Sequence, residues 1–333
     1  MILDIKDLHV HYRSSRGNVH AVDGANLQVP EGQILGLVGE SGCGKTTLAR
    51  AIIGVLPKNA RTASGELFFD GRDLLQESRR RLKDMRWREM AFIPQSAMNS
   101  LDPVYRVGQQ LNEVLINRGG FNNAKAEARA KELFDLVGIE PARLRDYPHQ
   151  FSGGMRQRAA IALALALEPK LVIADEPVTA LDVIVQRQIL DTLKDLQQQL
   201  NISVLLVTHD ISVVAYVCDQ VAVMYAGKVV ESGPASAVLT EPFHPYTMGL
   251  YNAFPDLERA SQTLTPIEGT PPDLLIPPTG CGFLERCPFA LPECSQSPAL
   301  KEIEANHLVA CWRDKDAVQL RQDAAEVTTW QRY

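Results

Sequence analysis

Residues 39–46 read Gly39-Glu40-Ser41-Gly42-Cys43-Gly44-Lys45-Thr46, and this stretch decides the fold. It follows Gln33-Ile34-Leu35-Gly36-Leu37-Val38, a short apolar run of strand type, and leads into Thr47-Leu48-Ala49-Arg50-Ala51-Ile52-Ile53, a helix start. Strand, glycine-rich turn and helix in this order make a phosphate cradle. The glycines let the backbone curl so that successive N–H groups point inward, and the helix N-terminus adds the positive end of its dipole. Lys45 can reach the β- and γ-phosphates, and the Thr46 hydroxyl, with Thr47 next to it, can face a bound Mg²⁺. A glycine-rich turn with a stray lysine would account for neither flank. The stretch therefore predicts a nucleoside-triphosphate site.

The 333 residues leave room for two domains, or one domain with an appendage. With 45% hydrophobic and 22% charged residues the chain can bury a sizeable core. A net charge of −6 argues against nonspecific nucleic-acid binding as its task. No signal peptide opens the sequence, and the longest apolar stretch, residues 159–167, is too short to span a bilayer. The expectation is a cytosolic protein whose membrane role, if any, comes through partners. In that compartment six cysteines point to burial or metal rather than to disulfides.

Outward from the glycine-rich loop, residues 1–35 alternate as an antiparallel sheet would, and 65–71 adds a strand closed by a tight turn. The basic run Arg79-Arg80-Arg81-Leu82-Lys83 reads as the solvated face of a helix. Residues 90–95 give a strand ended by Pro94 and Gln95. Helical periodicity then dominates 109–116, 124–137 and 153–167. Strands return at 171–174 and 203–207, both continuously apolar as parallel strands buried on two faces are, with a helix over 183–200 between them. A hairpin follows around Ala226-Gly227. Beyond about 240, prolines mark an extended, loop-rich tail, and 314–333 is polar enough to fray. Cys43 reads as a small filler and Cys218 as core in an apolar helix.

Two further segments carry chemistry. In Leu171-Val172-Ile173-Ala174-Asp175-Glu176 two carboxylates stand just past a buried strand, where Asp175 can hold the Mg²⁺ shell and Glu176 can polarise a water for attack on a γ-phosphate. In Phe151-Ser152-Gly153-Gly154-Met155-Arg156-Gln157-Arg158 a serine and two glycines open a helix and offer a second set of N–H donors; alone they are only a cap.

The chain resembles the ATP-binding-cassette (ABC) ATPases. The resemblance rests on the phosphate loop, Gln95 at a strand end, Ser152-Gly153-Gly154-Met155-Arg156-Gln157, Asp175-Glu176-Pro177, Ala180-Leu181-Asp182 and Val207-Thr208-His209-Asp210, in family order. It implies an α/β fold: a RecA-like P-loop NTPase core with an N-terminal antiparallel β-subdomain and an inserted α-helical subdomain at about 96–165. It also implies a head-to-tail pair of ATPase subunits, the P-loop of one and the Ser152 segment of the other closing on one ATP. Tyr12 would stack on adenine, Gln95 would contact Mg²⁺ and the attacking water, His209 would hold the γ-phosphate and help position Glu176, and Asp182 would cross the interface.

Other stretches are similar to the dipeptide/oligopeptide/nickel branch of bacterial importers. They are Ser96-Ala97-Met98-Asn99-Ser100-Leu101-Asp102-Pro103 with Val107-Gly108-Gln109-Gln110, Tyr147-Pro148-His149-Gln150, His244-Pro245-Tyr246-Thr247 and Pro277-Pro278-Thr279-Gly280-Cys281-Gly282-Phe283. Val178 departs from the threonine common in that branch. The branch implies an ATPase domain over 1–250 and a C-terminal extension over 251–333. Its expected partners are a second, similar ATPase subunit in a heterodimer, two membrane permease subunits and an extracytoplasmic binding protein, at the cytoplasmic face of the membrane. The expected cargo is di- or oligopeptide, with nickel or another small solute as the alternative. A soluble ABC ATPase acting on nucleic acid or ribosomes is the competing class, but neither its second cassette nor its coiled-coil insertion is present.

Cys281, Cys287, Cys294 and Cys311 are separated by five, six and sixteen residues, unlike the C-x₂-C zinc pattern. Four thiolates among prolines and glycines could converge on one metal. Similar tails in the importer branch look able to hold a [4Fe–4S] cluster; zinc and unmetallated thiols remain open.

Overall fold

The computed structural model describes residues 1–95, 97, 100–179, 181–252 and 266–331. Ser96, Met98 and Asn99 of the loop after Gln95, Ala180 of the Ala180-Leu181-Asp182 motif, and Pro255 of the tail lie outside the described residues.

In chain order the first strands are β1 (Leu3–Ser14), β2 (Gly17–Val29), β3 (Ile34–Val38), β4 (Ala60–Phe69), β5 (Arg72–Asp73) and β6 (Met90–Ile93). They are followed by β7 (Leu171–Asp175), β8 (Ser203–Thr208), β9 (Gln220–Tyr225), β10 (Lys228–Pro234), β11 (Lys301–Glu304) and β12 (His307–Val309). The helices begin with α1 (Lys45–Ile52), α2 (Arg79–Met85), α3 (Val107–Asn117), α4 (Asn123–Leu136), α5 (Gly153–Ala164) and α6 (Val183–Leu200). They end with α7 (Ile211–Val217), α8 (Ala235–Thr240), α9 (Pro245–Asn252), α10 (Ala317–Ala324) and α11 (Val327–Trp330). The chain folds as two compact units, one of Met1–Ile2, Val29–Ile34 and Asp73–Val207, the other of Leu3–Gln28, Leu35–Arg72 and Thr208–Tyr333.

In the first unit β6, β7 and β8 run parallel, Met90 opposite Leu171 and Leu171 opposite Ser203. Every residue of β7 and β8 is buried, as their unbroken apolar sequence requires. α6 starts where the Asp182 carboxylate accepts the Val185 N–H at 3.0 Å and ends where Asn201 takes the left-handed conformation. Between those stops Ile189, Leu190, Leu193 and Leu196 recur at helical spacing and are buried. α3 packs on α4, and α5 packs on α4, α6 and β6.

In the second unit β2, β1, β4 and β5 form an antiparallel sheet in that order, Leu3 opposite Phe69 and Tyr12 opposite Ala60. β3 lies parallel to β9, and β9 turns back into β10 through Ala226 and Gly227, both at positive φ.

The tail departs from the sequence expectation. β12 pairs with β10, Glu231 opposite Val309, and β11 pairs with β12, so two tail strands extend the sheet. Residues 314–333 were expected to fray, yet α10 and α11 bury Ala317, Leu320, Ala324 and Trp330 against α9 and its surroundings. The Trp330 ring would meet a Cβ on Gly249 at 2.6 Å, so glycine there makes the room it occupies. The helix bearing Cys218 also ends earlier than expected: Cys218 caps α7 and is half-buried. Arg79, Arg80, Arg81 and Lys83 are exposed on α2, as a solvated face.

Candidate nucleotide site

In the second unit β3 delivers the chain into the glycine-rich loop and α1 takes it out. Gly39 and Gly44 have φ of 153° and 109°. A Cβ on Gly39 would come within 2.1 Å of Met224 O, and one on Gly44 within 2.1 Å of Ala21 O. The loop's curl thus depends on glycine at both ends. Lys45 is buried, and its ammonium donates to Gly39 O at 2.6 Å and Glu40 O at 3.0 Å, which holds the positive charge inside the curl. Burial raises the Cys43 thiol above its ordinary value, although Lys45 beside it pulls the other way. Cys43 is therefore a neutral packing group, as read from the sequence. Tyr12, at the outer end of β1, shares a 3.2 Å hydrogen bond between its hydroxyl and that of Thr47 on α1, which ties the expected adenine-stacking residue to the phosphate helix. His209 lies just past β8 and is exposed.

The first unit carries the acidic half. Asp175 ends β7 and is buried, paired in register with Val207. Glu176 follows with φ of 49°, a left-handed conformation that costs a non-glycine residue about 1 kcal/mol or more. The turn aims its carboxylate: Gln95 Nε2 donates to Glu176 Oε2 at 2.8 Å and Thr179 Oγ1 donates to the same oxygen at 3.1 Å. Thus the structure brings Gln95 and Glu176 together, and it adds Thr179, which no motif in the sequence marks.

Ser152 caps α5, its hydroxyl accepting the Met155 N–H at 3.3 Å. A Cβ on Gly154 would meet Val185 Cγ1 at 2.6 Å, so this glycine also lets α5 approach the first turn of α6. The Ser152 and Asp182 helix starts therefore lie side by side. Next to Asp182, Val183 and Ile184 are 79% and 73% exposed.

The four tail cysteines line one small enclosed cavity of about 10 Å³ together with His244. Burial pushes the thiols of Cys287 and Cys311 up to about 12 and raises that of Cys281. Backbone N–H groups of Leu291 and Arg313 donate to the sulfurs of Cys294 and Cys311. His244 is buried; its Nδ1 accepts the Tyr246 N–H at 3.0 Å, while no partner for Nε2 occurs among the described residues. All six cysteines are free thiols, and among the described residues no three Cys, His, Asp or Glu side chains are grouped to hold a metal ion.

Residues 22–179 match the ABC transporter family, and residues 230–294 match the oligopeptide/dipeptide transporter C-terminal region. The chain belongs to the ATP-binding proteins of the ABC transporter family. It is 46% identical over 96% of its length to a probable peptide ABC transporter ATP-binding protein of Sinorhizobium fredii, covering 97% of that protein. It is 44% identical to the oligopeptide transport ATP-binding protein OppD of Escherichia coli, covering 94% of this chain and 93% of that one. With the dipeptide transport ATP-binding protein DppD of Bacillus subtilis the identity is 43%, over 93% and 94%. Among solved structures, the ATP-binding cassette MJ0796, a dimer in a post-hydrolysis state with ADP and Pi, superposes with a TM-score of 0.63 at 27% identity, covering 70% of this chain and 98% of that one. This ABC protein's glycine loop, acidic strand end and serine-glycine helix start all fall within its cassette. No helix among the described residues is long and apolar enough to cross a membrane.

Proposed function

We propose that the chain is the ATP-hydrolysing subunit of an importer that carries di- or oligopeptides, seated on the cytoplasmic face of the membrane through two permease subunits and fed by an extracytoplasmic binding protein. The observation that carries this reading is that similarity to peptide-transport ATP-binding subunits runs through the tail as well as the cassette. Nickel or another small solute is the alternative cargo. In this reading residues 1–250 are the ATPase and 251–333 the importer-type extension.

Gly39 to Thr47 hold the phosphates and Tyr12 stacks on adenine. By the family resemblance Thr46, Gln95 and Asp175, each carrying a side-chain oxygen of the kind Mg²⁺ prefers, would hold that ion. Bound there, Mg²⁺ would neutralise charge on the β- and γ-phosphates. Glu176 is the base: its carboxylate, aimed by Gln95 and Thr179, takes a proton from the attacking water. His209 holds the γ-phosphate. Ser152, Gly153, Gly154 and Asp182 face the nucleotide of a second ATPase subunit, and the exposed Val183 and Ile184 beside Asp182 give that subunit an apolar surface to cover. ATP then joins the two subunits and hydrolysis parts them.

For the tail we favour a [4Fe–4S] cluster on Cys281, Cys287, Cys294 and Cys311, with Zn²⁺ as the alternative. Supporting it are the shared cavity and the N–H donors on two sulfurs. A cluster would cross-link the tail; in this fold the cavity has about the volume of one water, so the thiols would have to spread to take it. Iron, sulfide and zinc analysis of anaerobically purified protein separates the two.

The transport reading is tested by deleting the gene and measuring uptake of labelled dipeptides and pentapeptides. Uptake should be lost, be restored by the wild-type chain and not by Glu176→Gln. Unchanged peptide uptake with lost ⁶³Ni uptake would give the alternative cargo instead.

A further inference from the structure

The second residue of the phosphate loop, Glu40, is gripped by the tail. Its carboxylate receives two donors from one guanidinium, Arg286 Nη1 to Oε2 at 2.7 Å and Arg286 Nη2 to Oε1 at 3.0 Å. The remaining donors of Arg286 are used as well: Nη1 to Tyr225 Oη at 3.1 Å, Nη2 to Ile267 O at 3.1 Å and Nε to Glu268 O at 3.0 Å. A guanidinium with its whole fork engaged has little freedom left, and a bidentate pair fixes direction as well as distance. Arg286 is 8% exposed, and its rigid seat includes the rings of Tyr225 and Phe283.

The Glu40 backbone is held too. Its N–H donates to Tyr246 Oη at 2.9 Å, which removes that N–H from the set able to face a phosphate, and its carbonyl accepts from Lys45. Tyr246 is wholly buried on α9 and packs against Tyr225 and Phe283 at ring-centroid distances of 4.5 and 5.3 Å. One turn later Cys43 O accepts the N–H of Gly227 at 3.0 Å. The loop's outer wall is thus built from Tyr225, Gly227, Tyr246 and Arg286, all beyond the residues that match the ABC transporter family.

We propose that Arg286 is a positioning residue for nucleotide binding: by clamping Glu40 it holds the phosphate loop in its binding shape, so the tail sets this chain's affinity for ATP. The inference rests on the ATPase reading above. Arg286 touches no phosphate itself. A loop freed at Glu40 must be ordered when ATP arrives, and the lost preorganisation appears as weaker binding.

The test is isothermal titration of the full-length chain with Mg·ATP, together with its melting temperature. Arg286→Gln and Glu40→Gln are each expected to raise Kd about tenfold, the double variant no further than either single, and Arg286→Lys to fall between. Val309→Ala, which loosens the tail at β12 instead, is expected to lower the melting temperature while leaving Kd within about twofold of wild type. Equal Kd for wild type and Arg286→Gln below the melting temperature overturns the proposal, as does an equal rise in Kd for Val309→Ala. Should Arg286→Gln not fold, Glu40→Gln decides by the same readout: about tenfold weaker binding supports the clamp, and unchanged binding overturns it. A wild-type chain that does not bind Mg·ATP at all overturns the ATPase reading and this inference with it.

Discussion

Gln95 and Glu176, eighty-one residues apart in sequence, meet in a 2.8 Å hydrogen bond between the ends of β6 and β7. The strands are neighbours in parallel register, Ile93 opposite Ala174, so the residues just beyond them are delivered to the same place. One amide therefore donates to the carboxylate proposed as base.

Glu176→Gln should retain ATP binding and lower phosphate release at least about a hundredfold, because the amide cannot take a proton. Phosphate release by the assembled ATPase pair and ATP binding by the variant check this. Turnover at the wild-type rate would assign the base elsewhere.

Thr179→Val removes a side-chain donor to Glu176 Oε2 and leaves Gln95 in place. A severalfold loss in kcat with little change in KM is expected, since a hydrogen bond to a charged group contributes about 1.5–3 kcal/mol when lost outright and less when another donor remains. Equal kcat for variant and wild type would make Thr179 a bystander.

Gly154→Ala places a methyl where Val185 Cγ1 stands 2.6 Å away. Overpacking of this kind costs about 1–3 kcal/mol, and Val185→Ala in the same chain should recover much of it. Denaturant midpoints of the two single variants and the double variant measure the coupling. Additive effects would show that the clash is relieved elsewhere.

His11 gives a pH dependence. Burial, followed by the neighbouring His20 and His9, lowers its pKa from 6.5, with Asp23 acting in the opposite sense. The His11 and His20 rings lie 4.1 Å apart, and His9 is held between Asp7 and Asp23. A base whose folded pKa is depressed binds its proton more readily when unfolded, so the stability it supports is complete above 6.5 and falls as pH drops through the lowered value. Replacing His11 by Gln should flatten the loss of stability between about pH 7 and pH 5 in denaturant titrations. An unchanged slope would place the dependence on other groups.

Much of this was legible because the signals were local. Apolar β7 and β8 announce two-sided burial, the Asp182 cap and the spacing from Ile189 to Leu196 announce α6, and the glycines around Ser41 announce the loop. The tail is not legible in the same way because its partners are remote. Leu320 and Trp330 lie in a polar stretch and become core only because α9 presents Gly249 and its neighbours to them. β11 and β12 are four and three residues long, too short for alternation to register. Arg286 is 246 residues from Glu40, and nothing in either neighbourhood marks the other as its partner.

The order β11, β12, β10 has a consequence for anyone shortening this protein. The outermost strand is β11, whose Lys301, Glu302 and Glu304 point charge into water, the usual guard on a free strand. A fragment ending at residue 252 would strip that guard and bare the hydrogen-bonding flank of β10. It would also leave the buried Glu231 carboxylate without the 2.8 Å hydrogen bond from His307. Such a fragment should stick to copies of itself, and light scattering of the freshly purified piece beside the intact chain would register it.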